Sequence, residues 1–106
     1  DGIAEITGIK SPYKVKRVEE KPKKPTTNLA IMPIYLFSDK IYKALEETQP
    51  GKGNEIQLTD GIQKQIGYNQ KIMAIKLKNA LHLDIGTPES YWNALKISYE
   101  YLANNR

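Results

Sequence analysis

Cysteine is absent from this sequence and histidine occurs once, as His82. The first absence excludes a disulfide framework, a thiolate zinc site and a thiol nucleophile, and leaves the redox compartment open. The second excludes the paired-histidine metal motifs, and a lone imidazole assigns no Ser-His-Asp arrangement. Long apolar runs are missing too. The longest, Leu29–Phe37, has nine residues, against the ~20 that a membrane helix needs. No N-terminal stretch has the pattern of a signal peptide, and no internal repeat is visible. What is present is a globular composition for one unit: 106 residues, 40% apolar, 26% charged, with six prolines and seven glycines. The chain opens on Asp1 and not on Met, so it is expected to be a piece of something longer.

Charge is unevenly placed. From Lys10 to Lys24, seven cations face only Glu19 and Glu20, whereas the rest of the chain carries nine cations and ten anions. A basic segment beside a neutral body suits an anionic partner, a phosphate more simply than a polynucleotide. On charge alone, a solvated lysine-rich strand and turn accounts for it better. A nucleic-acid surface is disfavoured, because only Tyr13 interleaves the basic residues as an aromatic.

Ile3 to Ile9 and Tyr13 to Val18, joined through Ser11-Pro12, read as an antiparallel hairpin. Tyr13, Val15 and Arg17 are expected on one face of its second strand. Pro22-Lys23-Lys24-Pro25 and the polar residues after it form an extended loop. The run Leu29–Phe37 is expected to be a strand buried on both faces, broken in its pairing at Pro33. Ser38 is the expected cap of a helix carrying Ile41, Tyr42 and Leu45 on one face. After the loop Pro50 to Glu55, Thr59 or Asp60 is expected to cap a second helix, with Leu58, Ile62 and Ile66 on one side and Gly67 as its stop. Lys71 to Leu77, with Met73, Ile75 and Leu77 on one face, and Leu81 to Asp84 are expected strands. His82 falls on the second of these as a core or edge residue. Thr87-Pro88-Glu89 predicts a helix start, with a buried stripe of Tyr91, Leu95, Tyr99 and Leu102. The order of elements is α/β, with a mixed sheet flanked by helices.

Two places carry chemistry. Glu19-Glu20-Lys21-Pro22 ends a strand, and the proline frees both side chains toward a pocket mouth. A carboxylate there can accept two sugar hydroxyls, and a lysine can hold a phosphate. An exposed ion-paired turn is the competing account. Asp84, in Leu83-Asp84-Ile85-Gly86-Thr87-Pro88, ends an apolar segment ahead of a capped helix, a position suited to Mg²⁺ or phosphate. Its carboxylate can equally accept backbone amides of the turn. Gly51-Lys52-Gly53 starts like a dinucleotide fingerprint, but Ile56 stands where the third glycine belongs and no strand precedes it. It reads as a flexible loop.

Five segments in order resemble the C-terminal half of the sugar-1-phosphate nucleotidylyltransferases. They are Gly2-Ile3; Val18-Glu19-Glu20-Lys21-Pro22; Asn28-Leu29-Ala30-Ile31 with Ile34-Tyr35; Glu55-Ile56-Gln57-Leu58-Thr59-Asp60; and Asp84-Ile85-Gly86-Thr87-Pro88-Glu89-Ser90-Tyr91. Asn28 to Asp60 looks most like the branch that transfers uridylyl to glucose 1-phosphate. The Asp84 segment looks more like the thymidylyl- and guanylyl-transferring branches.

The resemblance implies the C-terminal part of a Rossmann-like nucleotide-diphospho-sugar transferase fold, with residues 1–106 as its sugar-phosphate-binding portion. It implies a reaction in which sugar 1-phosphate attacks the α-phosphorus of UTP or dTTP, with Mg²⁺ assisting and pyrophosphate leaving. The expected product is UDP-glucose; the alternatives are dTDP-glucose, or a non-catalytic module that keeps the fold. By the same resemblance Gly2 approaches the sugar, Glu20 binds its hydroxyls, Lys21 binds its phosphate and Asp84 is one of two metal-ligating aspartates. A cytoplasmic protein with no nucleic-acid or membrane partner is implied, with homo-oligomerisation of a full-length form left open. Two departures stand out. The family's glycine-rich nucleotide signature and the second aspartate are not in these 106 residues, so the chain alone is expected to be inactive. Pro33 stands where members usually carry glycine beside the sugar.

Overall fold

Gly2–Thr7 (β1) and Tyr13–Glu20 (β2) form the expected antiparallel hairpin, with Gly2 opposite Glu20 and Thr7 opposite Lys14. The computed structural model describes residues 2–105. They fall into two compact units, Asp1–Lys76 and Leu77–Arg106, each described by itself.

In the first unit the register slips between Glu5 and Ile6, which pair with Arg17 and Val15 and leave Lys16 as a bulge. An extra residue resets the side-chain alternation. Val15 and Val18, three apart, are therefore both buried, and Arg17 is exposed. Phase counting alone places Val15 with Arg17. Met73–Ala74 (β3) completes an antiparallel sheet of order β1-β2-β3. Here the expected face is reversed. Ile72 and Ala74 pack on the core, while Met73, Ile75 and Leu77 are exposed.

The segment Leu29–Phe37 is not a buried strand. It starts as one, with an antiparallel bridge between Ile3 and Ala30, the Ala4 amide donating to Leu29 and the Ile31 amide to Gly2. A tight turn at Met32–Ile34 then ends the pairing at Pro33, which has no N–H to offer a ladder. Ile34 and Leu36 beyond it are exposed.

Lys40–Glu46 (α1) buries Ile41 and Ala44, and Tyr42 faces outward. Asp39, not Ser38, holds the cap position, and no side chain caps the helix. Leu58–Gly67 (α2) lays Leu58, Ile62 and Ile66 on the core as expected. Thr59 and Asp60, the expected caps, lie inside its first turn, and Gln57 precedes it. The turn after α2 is made by Asn69, at φ +60°, and not by Gly67. Between α1 and α2, Lys52–Asn54 forms a single 3₁₀ turn. The core is Ala4, Val15, Val18, Ile41 and Ile62. A small sheet flanked by helices is an α/β arrangement.

In the second unit, residues 81–84 form no strand, and His82 is exposed. Pro88–Asn104 (α3) begins where the sequence predicts. The Ser90 amide donates to the Thr87 hydroxyl (3.1 Å) and the Thr87 amide to the Ser90 hydroxyl (3.0 Å), a reciprocal cap. The expected buried stripe is open: Tyr91, Leu95, Tyr99 and Leu102 are exposed, and Ala94 is the helix's buried residue. Helical periodicity selects a face but does not provide the element that covers it.

Candidate functional site

At the C-terminal end of β2 the backbone turns left-handed, with Lys21 at φ +42°. This conformation is costly for a residue with a Cβ and is found where surrounding structure imposes it. Pro22 follows and cannot continue the ladder. The turn brings Glu20 and Lys21, which strand alternation would separate, onto one open depression of about 680 Å³. Its lining also includes Lys23, Lys24, Lys52 and Asp60. Four lysines and three carboxylates thus share it, with the cations coming from two separate segments. A phosphate bearing two negative charges suits such a surface.

The carboxylates are not equivalent. Glu19 is paired with the Arg17 guanidinium at 2.8 Å. Glu20, half-buried, accepts at Oε2 from the hydroxyl of Thr59 at 2.7 Å. A carboxylate has acceptor capacity beyond one such bond, so Glu20 can still receive hydroxyl donors. Tyr35, stacked on Phe37 at 5.3 Å, senses the same charge. Burial, and then the Glu20 carboxylate, hold its phenol above the usual range.

Gly2 lies directly beside Glu20. Its carbonyl accepts from the Ile31 amide, and a Cβ at this position would come 3.1 Å from Ile31 and Thr59 and 3.2 Å from Glu20 Oε2. At the other rim, a Cβ on Gly51 would overlap Asp60 Oδ2. The loop there is closed by the Gly51 amide on Glu55 and by Gln57 Nε2 on Lys52, at 2.9 Å each. The segment expected to be flexible is tied at both ends.

The structure therefore gathers Gly2, Glu20 and Lys21 in the first unit, with Thr59, Asp60, Lys52 and Tyr35 around them. In the sequence Thr59 stands out as a capping candidate and as a member of the Glu55–Asp60 segment. Lys52 stands in a loop, and neither residue carries a local signal that ties it to Glu20 or Lys21.

Asp84 belongs to the second unit. Its Oδ1 accepts from the Gly86 amide at 3.0 Å, the turn-capping contact that competes with a metal role. As an exposed carboxylate it fits a hard cation in kind. By itself it supplies one oxygen ligand of the one or two carboxylates that Mg²⁺ takes beside substrate phosphates; among the described residues no three His, Cys, Asp or Glu side chains gather to hold a metal. No described helix is long and apolar enough to cross a membrane.

Comparison with known proteins shows the family. The family model for nucleotidyl transferases matches residues 2–100. The UTP–glucose-1-phosphate uridylyltransferase of Pseudomonas aeruginosa is 38% identical over 92 residues, covering 85% of this chain and 32% of that protein. The enzyme of the same name from Bacillus subtilis is 56% identical over 76 residues, covering 70% and 25%. A solved UDP-glucose pyrophosphorylase in complex with UDP-glucose superimposes with a TM-score of 0.81 at 32% identity, covering 94% of this chain and 38% of that one. The chain thus spans about a third or less of the curated relatives cited. With a family match over nearly its whole length and the same fold in a solved relative, the chain belongs to the nucleotidyl transferase family.

Proposed function

We propose that residues 1–106 form the sugar-phosphate-binding portion of an enzyme that makes a nucleoside-diphosphate sugar and pyrophosphate from a nucleoside triphosphate and a sugar 1-phosphate. UTP and glucose 1-phosphate are the favoured pair, because the relatives cited bear that name. The observation that carries the reading is the placement of Glu20 and Lys21 on one depression, with lysines at its rim.

The roles follow from side-chain chemistry. Glu20 accepts sugar hydroxyls, while Lys21 holds the sugar phosphate as a point charge. The backbone at Gly2, the cross-strand partner of Glu20, approaches the sugar beside that carboxylate. In this family's reaction the phosphate oxygens do the covalent work, so the protein contributes positioning and charge stabilisation. Asp84 would offer one oxygen ligand to Mg²⁺, with the other ligands coming from outside this chain. Such a cation, when bound, offsets phosphate charge.

The test is a calorimetric titration of the chain with glucose 1-phosphate. Lys21→Ala should weaken binding roughly ten- to hundredfold, the worth of a charge-assisted contact. Glu20→Gln should weaken glucose 1-phosphate but leave inorganic phosphate unchanged. Incubated with UTP, glucose 1-phosphate and Mg²⁺, the chain alone should release no pyrophosphate. Affinity that is indifferent to both substitutions would overturn the reading.

A further inference from the structure

The last residue of β2 would be a poor instrument of recognition if left to itself. Glu20 has three rotatable side-chain bonds, and the chain turns away immediately after it at Lys21 and Pro22. A carboxylate free to sample rotamers follows whatever hydroxyls it is offered and discriminates little between them. Three observations show that this one is held.

The first is the bond itself. Thr59 is 5% exposed, and its hydroxyl donates to Glu20 Oε2 at 2.7 Å. A helical threonine chooses between two χ1 rotamers, and Thr59 is buried and short, so the donor sits close to the backbone of α2 and does not depend on a flexible arm. The second is the register between α2 and β2. Gln63, one helical turn after Thr59, accepts from the Val18 amide at 2.9 Å. Four residues of helix rise about 6 Å and two residues of strand about 6.6 Å. The pairs Thr59–Glu20 and Gln63–Val18 are therefore matched in spacing, and the helix is clamped to the strand at two points. The third is Gly2, the cross-strand partner of Glu20. A Cβ there would press on Thr59 Oγ1 and Glu20 Oε2 together, at 3.1 and 3.2 Å. The bond lies where a Cβ at position 2 would crowd both of its atoms.

We infer that Thr59 is the positioning residue that fixes the Glu20 carboxylate and thereby sets which sugar epimer the depression accepts. The inference rests on the reading of Glu20 as the acceptor of sugar hydroxyls. With Oε2 held by Thr59, the remaining acceptor directions of Glu20 are fixed relative to Lys21, so phosphate and hydroxyl are recognised at a set separation. An epimer with one hydroxyl inverted then leaves a partly buried acceptor without its donor, which is how a polar site discriminates strongly. Once freed, the carboxylate would rotate to meet either epimer.

The experiment measures binding of glucose 1-phosphate, galactose 1-phosphate and inorganic phosphate to the chain and to its Thr59→Val, Thr59→Ser and Glu20→Gln variants. Thr59→Val, of nearly the same shape, should lower glucose 1-phosphate affinity about tenfold, the worth of a hydrogen bond to a charged group. The glucose-to-galactose ratio should move toward one, and inorganic phosphate, read by Lys21, should be unaffected. Thr59→Ser should restore both affinity and ratio. Should Thr59→Val fail to fold by circular dichroism, Thr59→Ala against Thr59→Ser makes the same comparison. An unchanged epimer ratio in Thr59→Val, with the ratio lost in Glu20→Gln, would refute the role of Thr59 and leave Glu20 as the acceptor. If the starting chain binds neither sugar phosphate, or Glu20→Gln changes nothing, the reading of Glu20 fails and this inference falls with it.

Discussion

Gln63 of α2 accepts the backbone amide of Val18 across 2.9 Å, so a helix side chain satisfies the edge of β2 that faces away from β1, where β3 pairs only Tyr13 and Lys14. Sheet edges are commonly covered in this way. Gln63→Leu would strip a partly buried N–H of its partner, which costs about 1–3 kcal/mol. In a domain near 100 residues that is a fall in Tm of roughly 4–8 °C per kcal/mol. Gln63→Glu keeps an acceptor and should cost much less. Thermal unfolding, with hydrogen exchange at the Val18 amide, checks both; equal losses would show that packing and not the hydrogen bond is at stake.

Acid should loosen the loop that follows β2. The Thr26 hydroxyl donates to Glu5 at 2.6 Å. That hydrogen bond, opposed by desolvation and aided by the charge of Arg17, holds the Glu5 carboxyl below its ordinary 4.5. A carboxylate whose folded pKa is depressed adds stability that is complete above the unfolded value and lost as pH falls through the folded one. Stability should therefore decline as pH falls from about 4.5 through that lower value. In Thr26→Val the fall should be shallower and neutral-pH stability lower. Chemical unfolding at a series of pH values provides the comparison, and parallel curves for the two proteins would exclude this contact.

Tyr35 reports on the charge of Glu20. Burial first, and the Glu20 carboxylate second, raise its phenol above the ordinary range. Glu20→Gln removes the second cause and keeps the first, so the Tyr35 pKa should fall but stay above that of an exposed tyrosine. A ¹³C titration of the Tyr35 ring resolves it from the other six tyrosines. No change on substitution would mean that the carboxylate does not face Tyr35.

Asp84 carries two separable roles, a turn acceptor and a proposed cation ligand. Asp84→Asn keeps an oxygen for the Gly86 amide, so Tm should hardly move. Loss of the negative charge should abolish weak broadening of the Asp84–Gly86 amide signals by Mn²⁺, a hard cation that prefers oxygen donors. Broadening that persists in Asp84→Asn would remove Asp84 as a ligand. A large fall in Tm would show that charge on the turn matters to folding.

Removing the helix cap gives an independent control on the second unit. Thr87→Ala deletes the side chain that receives the Ser90 amide and should cost about 1 kcal/mol. The loss should appear as fraying at residues 88–91 in amide exchange, with sugar-phosphate binding unchanged.

Local pattern alone determined a good deal of this protein. The hairpin, the core face of α2 and the start of α3 were legible because each depends on residues within a few positions of one another. Thr87 and Ser90, for instance, cap each other with no help from elsewhere. The Glu20–Lys21–Pro22 turn was legible for the same reason, since proline ends a ladder wherever it stands. What tertiary structure decided was everything that depends on a partner. A bulge at Lys16 reset the phase of β2 and turned Val18 inward. Pairing with Tyr13 and Lys14 chose Ile72 and Ala74 over Met73 and Ile75 as the inner face of β3. The apolar run after Asn28 stopped pairing at Pro33 because a ladder needs an N–H at each bonded position. Thr59, read as a cap, became the donor to a carboxylate 39 residues earlier. Propensity and periodicity describe what a residue does for its own element. Which hydroxyl meets which carboxylate is settled by how α2 is laid against β2, and that follows from packing Ile62 on Val15 and Val18 in one shared core.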